Sequence, residues 1–227
     1  QKSSQFHEKW VVGYGHSSVA EHAVLSVAVE NISILATKVL EDNRLASYTE
    51  KSTRYQIFDK NRYYKPAKIM NSELRETYQR AGDYLFQVYK TLSDPMSTFI
   101  NKKYPKSEKM SEGLYNSINK ARVCDNIRYL LPTSTQTNLG LTMNARSLEW
   151  AITKLLTHPL QEMQEIGEDI KKVANKVTPT LIKYAALNKY SQKTDEELTH
   201  LNKWIFNDTL SGTNIPVKIV NYDKDAD

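Results

Sequence analysis

The chain has 227 residues, 40% of them hydrophobic and 25% charged, with a formal net charge of +5. That is enough for one sizeable domain with a core, or one domain plus part of another. The mild positive charge suits anionic ligands without marking a nucleic-acid binder, and no nucleic-acid partner is expected. A lone cysteine, Cys124, excludes an internal disulfide and fits a reducing compartment. No apolar run approaches the ~18 residues of a membrane span and no signal peptide is visible, so a cytoplasmic location and no membrane partner are expected.

Residues 5–12 read as the end of a helix, which GYGH at 13–16 breaks. AVLSVAVEN (23–31) is short and β-branched, a buried strand. ISILATKVLED follows with Ile32, Leu35, Ala36, Val39 and Leu40 at helical spacing. The next stretch, RLASYTEKSTRY (44–55), shows no apolar period and reads as a loop. In 72–93, Leu74, Tyr78, Ala81, Leu85, Val88 and Leu92 recur at three- and four-residue steps, with Ser72 placed to cap the helix. In 109–130 the expected inner face is Leu114, Ile118, Ala121, Cys124 and Leu131, which puts the thiol inside as a small hydrophobe. Pro132 ends that helix. TNLGLTMN (137–144) alternates as a strand. A helix from about 145 breaks near His158 and Pro159, and the next carries Met163, Ile166, Ile170, Val173, Val177 and Leu181. A short helix at 194–206 leads into SGTN, a linker. The fold class predicted is α+β, with several long helices around a small, mainly antiparallel sheet.

The five histidines (His7, His16, His22, His158, His200) offer no pair at metal-ligand spacing on one helix, and no metal site is expected. No glycine-rich phosphate loop and no nucleophile with an adjacent base stand out. What remains is the dense segment at 44–55. Guanidinium forks bind phosphate in two-point fashion, serine hydroxyls add orienting bonds, and a carboxylate among them accepts from an imide or a ribose hydroxyl. On composition alone, a solvated surface loop with ion pairs is the favoured reading of the same segment.

RLASYTEKSTRY resembles the signature of the flavin-dependent thymidylate synthases, Arg-His-Arg-x-x-Ser-x-Asn-Glu-x-Ser-x-Arg-Tyr, through Arg44, Ser47, Glu50, Ser52, Arg54 and Tyr55. Three further segments resemble that family in order: GHSSVAEHA (15–23), RYLLP (128–132) and MNARSL (143–148). The resemblance implies a ThyX-like fold in a homotetramer that binds FAD between subunits. It implies conversion of dUMP to dTMP with methylenetetrahydrofolate and NADPH as cosubstrates, with the cofactor carrying the hard chemistry. Residue by residue, it implies flavin contacts at His16, Ser18, Arg44, Glu50, Asn144 and Arg146. It implies nucleotide contacts at Glu50, Ser52, Arg54 and Arg128.

The pattern departs from the family at five places, one of them Trp150 in place of an asparagine before the catalytic helix turn. Asp42 and Asn43 replace the first arginine and the histidine of the triplet, Val39 replaces a glutamine, and Leu155 replaces the arginine that polarises the uracil ring, leaving the catalytic residue unknown. An aspartate in place of arginine reverses a charge beside a phosphate. Lys38, Arg62 and Lys154 are the cations that could substitute. The losses fit a second reading, a non-catalytic partner domain that keeps the fold and flavin binding without dUMP turnover. The resemblance further suggests that residues 1–210 are one ThyX-like domain lacking its opening strand and helix. In that case 211–227, with the strand-like VKIV, would be a linker and the start of a second such domain, so either a homo-oligomer or a pairing of the two domains is expected.

Overall fold

The computed structural model describes residues 2–7, 9–10 and 17–205. Helix α1 (Lys2–His7) and a 3-10 helix (Ser17–His22) precede β1 (Val24–Ser33), α2 (Ile34–Glu41), β2 (Ala46–Glu50) and α3 (Ala67–Met70). Then come α4 (Arg75–Lys103), α5 (Glu112–Ile127), β3 (Gln136–Asn144), α6 (Ala145–Thr157) and α7 (Gln161–Ala174). Helix α8 (Lys189–Ile205) belongs to a second unit that starts at Lys189, and none of its residues is buried. The GYGH break, His16, the SGTN linker and the suggested start of a second domain at 211–227 lie outside the described residues.

The three strands form one antiparallel sheet in the order β1-β3-β2, so the expected α+β class with a small antiparallel sheet holds. Strand β3 sits in the middle. Its Thr137, Leu139, Leu141 and Met143 are buried while Asn138 and Gly140 face out, the two-residue alternation expected of a half-covered sheet. Strand β1 carries a bulge between Val29 and Ile32. There Asn31 adopts a positive φ of 59°, a conformation asparagine tolerates better than most residues. Arg62 donates to the Asn31 side chain at 3.1 Å, outside the cleft described below.

One expectation fails here. Residues 46–50 of the supposed loop form the edge strand β2, paired from Ala46↔Met143 to Glu50↔Leu139. An edge strand needs only one paired side, and polar side chains on it are common. The missing apolar period therefore hid it.

Helices α2, α6 and α7 pack with the sheet over one core built on Ala36, Leu40, Leu139, Leu148, Ile152 and Met163. A buried carboxylate fixes α2 to α7. Glu162 accepts from Ser33 N and from Ser33 Oγ, each at 2.7 Å, and Ser33 Oγ in turn accepts from Ala36 N at 3.0 Å as the N-cap of α2. With both oxygens bonded, the charge is tolerable at 7% exposure. Gly167 lets α6 and α7 approach closely, because a Cβ there would lie 2.9 Å from Leu155 Cβ.

A second core joins α4 and α5 through Phe86, Tyr89, Ile100, Val123 and Ile127, closed by Phe58 and Tyr63. Cys124 is fully buried, as expected, and burial pushes its thiol pKa up. The predicted face of α4 is one residue out of phase. Gly82, Phe86 and Tyr89 are buried, whereas Leu74 and Leu92 are exposed. Gly82 decides the phase: a Cβ there would sit 2.7 Å from the Tyr63 ring, so only this face admits Tyr63. Helix α4 also runs ten residues past the predicted end at 93, through Pro95. Proline removes one helical bond and strains the turn before it, and the burial of Ile100 beyond it offsets this loss. Ser72 is not the cap; it lies in the preceding turn, donating to Ile69 O at 2.9 Å. In α5, Leu114 is exposed rather than inward, and in the stretch after α7 so is Val177. Val173 of α7 is also exposed, while Leu181 is buried beyond the helix end.

Candidate functional site

Strand β2 ends at Glu50 and the chain turns back through Ser52, Thr53 and Arg54. Helix α5 ends at Arg128, and the segment after it hydrogen-bonds to the start of α2 through Thr133 O to Leu35 N (3.1 Å) and Thr135 O to Ile34 N (2.9 Å). These three pieces surround a cleft of about 550 Å³. Its polar lining includes Lys38, Glu50, Ser52, Arg54, Arg128 and Thr133, with Ile34, Leu131 and Pro132 as apolar wall. All four residues predicted to contact a nucleotide, Glu50, Ser52, Arg54 and Arg128, therefore line one space, although 74 positions separate Arg54 from Arg128 in the sequence.

The electrostatics of the cleft are those of an anion site held ready by a carboxylate. Arg54 donates to Asp125 through Nε and Nη2, both at 2.9 Å, and Arg128 approaches the same aspartate at 3.5 Å. The Arg54 fork holds the Asp125 carboxyl below its ordinary pKa, and Asp125 raises that of Arg54. Ser52 Oγ accepts from Arg54 N at 3.2 Å, which shapes the turn. Glu50 is half-buried beneath them. Burial first, and repulsion from Glu41 second, push its carboxyl pKa up, against the opposing pull of Lys38 and a hydrogen bond from Thr37 at 3.3 Å. Asp125 was not among the predicted site residues. Its signal was its place one helical turn before Arg128, where an acid and an arginine meet.

Of the predicted flavin contacts, Glu50 lines this cleft, while Ser18, Arg44, Asn144 and Arg146 lie elsewhere. Asn144 ends β3 and caps α6, accepting from Ser147 N at 2.8 Å. Arg146 pairs with Glu21 at 2.5 Å. Ser18 lies exposed on the 3-10 helix, and Arg44 is exposed just before β2. Because Val24 pairs with Asn144 and Ala46 with Met143, these residues share the end of the sheet opposite Glu50. Ala46 and Glu50 are four residues apart, or about 13 Å along an extended strand. His16 lies outside the described residues.

The divergent positions cluster at this same end. Asp42 is bonded by Lys154, which lowers its carboxyl pKa. Asn43 donates to Ser147 O at 3.1 Å. Leu155 is 1% exposed with its Cβ toward Gly167 in the core, and with Val39, Asp42, Asn43, Trp150 and Lys154 it lines a small pocket of about 80 Å³, outside the larger cleft. Lys154, one position earlier, is the cation of that turn.

Among the described residues no group of histidine, cysteine, aspartate and glutamate could hold a metal ion, and no helix is long and apolar enough to cross a membrane. The family model of the thymidylate synthase complementing proteins matches residues 1–180. A UPF0159 protein of Chlamydia pneumoniae is 37% identical over 191 residues, covering 82% of this chain and 36% of that protein. A flavin-dependent thymidylate synthase of Clostridium tetani is 28% identical over 177 residues, covering 77% of this chain and 68% of that one. The solved structure of the Helicobacter pylori flavin-dependent thymidylate synthase ThyX, complexed with FAD and dUMP, shares the fold. Its TM-score is 0.57 at 19% identity, covering 82% of this chain and 84% of that one. The chain spans about a third of the length of the chlamydial relatives it matches, 36% in each of two. With a cleft of matching residues, a shared fold and a family match over most of its length, the chain belongs to the thymidylate synthase complementing protein family.

Proposed function

We propose that this chain is the nucleotide- and flavin-binding domain of a flavin-dependent thymidylate synthase homologue. The family activity is the reductive methylation of dUMP to dTMP with methylenetetrahydrofolate and NADPH. The observation that carries the reading is the convergence of Glu50, Ser52, Arg54 and Arg128 on one cleft. In it Arg54 and Arg128 hold the phosphate of dUMP, displacing or sharing Asp125. Ser52 orients a phosphate oxygen, and Glu50 accepts from the imide or a ribose hydroxyl.

The residues at the other end of the sheet fit FAD in donor type. Arg44 and Arg146 suit its phosphates, and Ser18 and Asn144 add hydrogen-bonding groups on an open surface. When bound, the reduced flavin supplies the hydride, and the protein's part is orientation and charge. Two observations bear on how a site is completed. The flavin-side residues and the nucleotide cleft occupy opposite ends of the sheet, which supports assembly between copies of the chain, or between this domain and a second one in the same polypeptide. Leu155, standing where the family has the arginine that polarises the uracil ring, supports the partner-domain reading, in which the chain does not turn over dUMP alone.

The test is an FAD titration followed by absorbance and by tritium release from dUMP labelled at the uracil ring. A flavin spectrum that shifts on adding dUMP supports the nucleotide reading, and tritium release supports turnover by the chain itself. Bound flavin indifferent to dUMP leaves the partner-domain reading. A chain that binds neither would end both.

A further inference from the structure

We infer that Lys38 is the third cation of the nucleotide cleft and the one that gives it a net attraction for a dianionic phosphate monoester. The inference deepens the proposed function and rests on the same cleft.

Three cations were available to compensate for Asp42, and the structure separates them. Lys154 is committed to Asp42 itself. Arg62 bonds Asn31 at the bulge of β1, away from the cleft. Lys38 alone of the three lines the cleft, beside Glu50, Arg54 and Arg128. It stands one helical turn after Ile34, which also lines the cleft, so both project from the same face of α2.

The charge balance shows why the lysine matters. Asp125 neutralises one of the two guanidiniums that it bridges, and Glu50 offsets the other. Without Lys38 the cleft and its bridging aspartate would carry no net charge, and a dianion would gain little from entering. Glu41, paired with Lys38, cancels that lysine until the ammonium leaves Glu41, and the balance then turns positive. The pair spans 3.3 Å and its lysine side chain is 67% exposed. Exposed pairs of this kind are weak, and the flexible stem of lysine lets the ammonium leave Glu41 for a phosphate oxygen.

The experiment titrates the full chain with dUMP, inorganic phosphate and deoxyuridine by calorimetry, in wild type, K38M and K38R. Methionine keeps the stem and removes the charge. The expected result is that K38M weakens dUMP and phosphate binding about tenfold, leaves deoxyuridine unchanged, and that K38R restores most of the loss. Wild-type and K38M chains that bind dUMP equally would overturn the role of Lys38 and leave the nucleotide reading standing. Lys38-dependent phosphate binding, with dUMP no tighter than phosphate, would keep Lys38 and overturn the nucleotide reading. A wild-type chain that binds none of the three would overturn both.

Discussion

The two ends of β2 have opposite histories. At its C-terminal end Glu50, Ser52, Arg54 and Arg128 keep the family pattern and converge on a cleft of about 550 Å³. At its N-terminal end Asp42 and Asn43 replace an arginine and a histidine, and both are absorbed by contacts within the chain, to Lys154 and to Ser147 O. Arginines with a single bridging aspartate stay positioned for an incoming anion. An aspartate paired with a lysine has spent the charge that a cofactor phosphate would need. Under the roles proposed above, the nucleotide end keeps more of the family pattern than the flavin end does.

The sharpest way to break this comparison is R54A. Loss of the two-point fork should weaken dUMP binding by about a hundredfold and leave FAD binding within about twofold of wild type. Equal losses for both ligands would show that the two ends are not separable. G167A strikes the other end through its support. A Cβ 2.9 Å from Leu155 should destabilise the α6–α7 packing by about 1–3 kcal/mol, read in a denaturant melt. Helix α6 carries Arg146 and Lys154, so FAD affinity should fall before dUMP affinity does. D42R restores the family charge and should tighten FAD binding by about tenfold, measured by flavin fluorescence. An unchanged affinity would remove position 42 from any flavin contact.

The smallest effect concerns Glu50. Its folded pKa is raised, chiefly by burial. The folded state therefore holds this proton more tightly than the unfolded chain, and stability is lost as pH rises from the ordinary value of 4.5 through the folded one. E50Q carries no such penalty. It should match wild type in acid and exceed it by under about 1 kcal/mol at neutral pH, checked by melts across pH. A gap that widens toward acid would contradict the assigned environment.

Much of the fold was legible in local pattern. The strand at 23–31, the alternating strand at 137–144 and the helix ending near His158 appear where spacing placed them. The first is an edge strand, with only Leu25, Val29, Ile32 and Ser33 buried, not the buried strand its apolar run predicted. Edge strand β2 was missed because polar side chains on an edge carry no apolar period. The buried face of α4 was missed by one residue because its leucines and tyrosines make two adjacent stripes, and only the Tyr63 ring against Gly82 chooses between them. Of the site, the residue types in RLASYTEKSTRY announced an anion-binding chemistry. Asp125 escaped notice, since a carboxylate one turn before an arginine is common on any helix surface.

By itself the sequence determined the family, the order of the main elements and the residue types that line the cleft, because motifs and periodicity are local properties of the chain. Tertiary structure alone decided which of Lys38, Arg62 and Lys154 reaches the cleft, that Leu155 packs against Gly167 in the core, and that Arg44 and Asn144 stand at the end of the sheet opposite Glu50. Those are questions of direction and distance between segments far apart in sequence. Strand register and helix packing set them, and neither is written in any one segment.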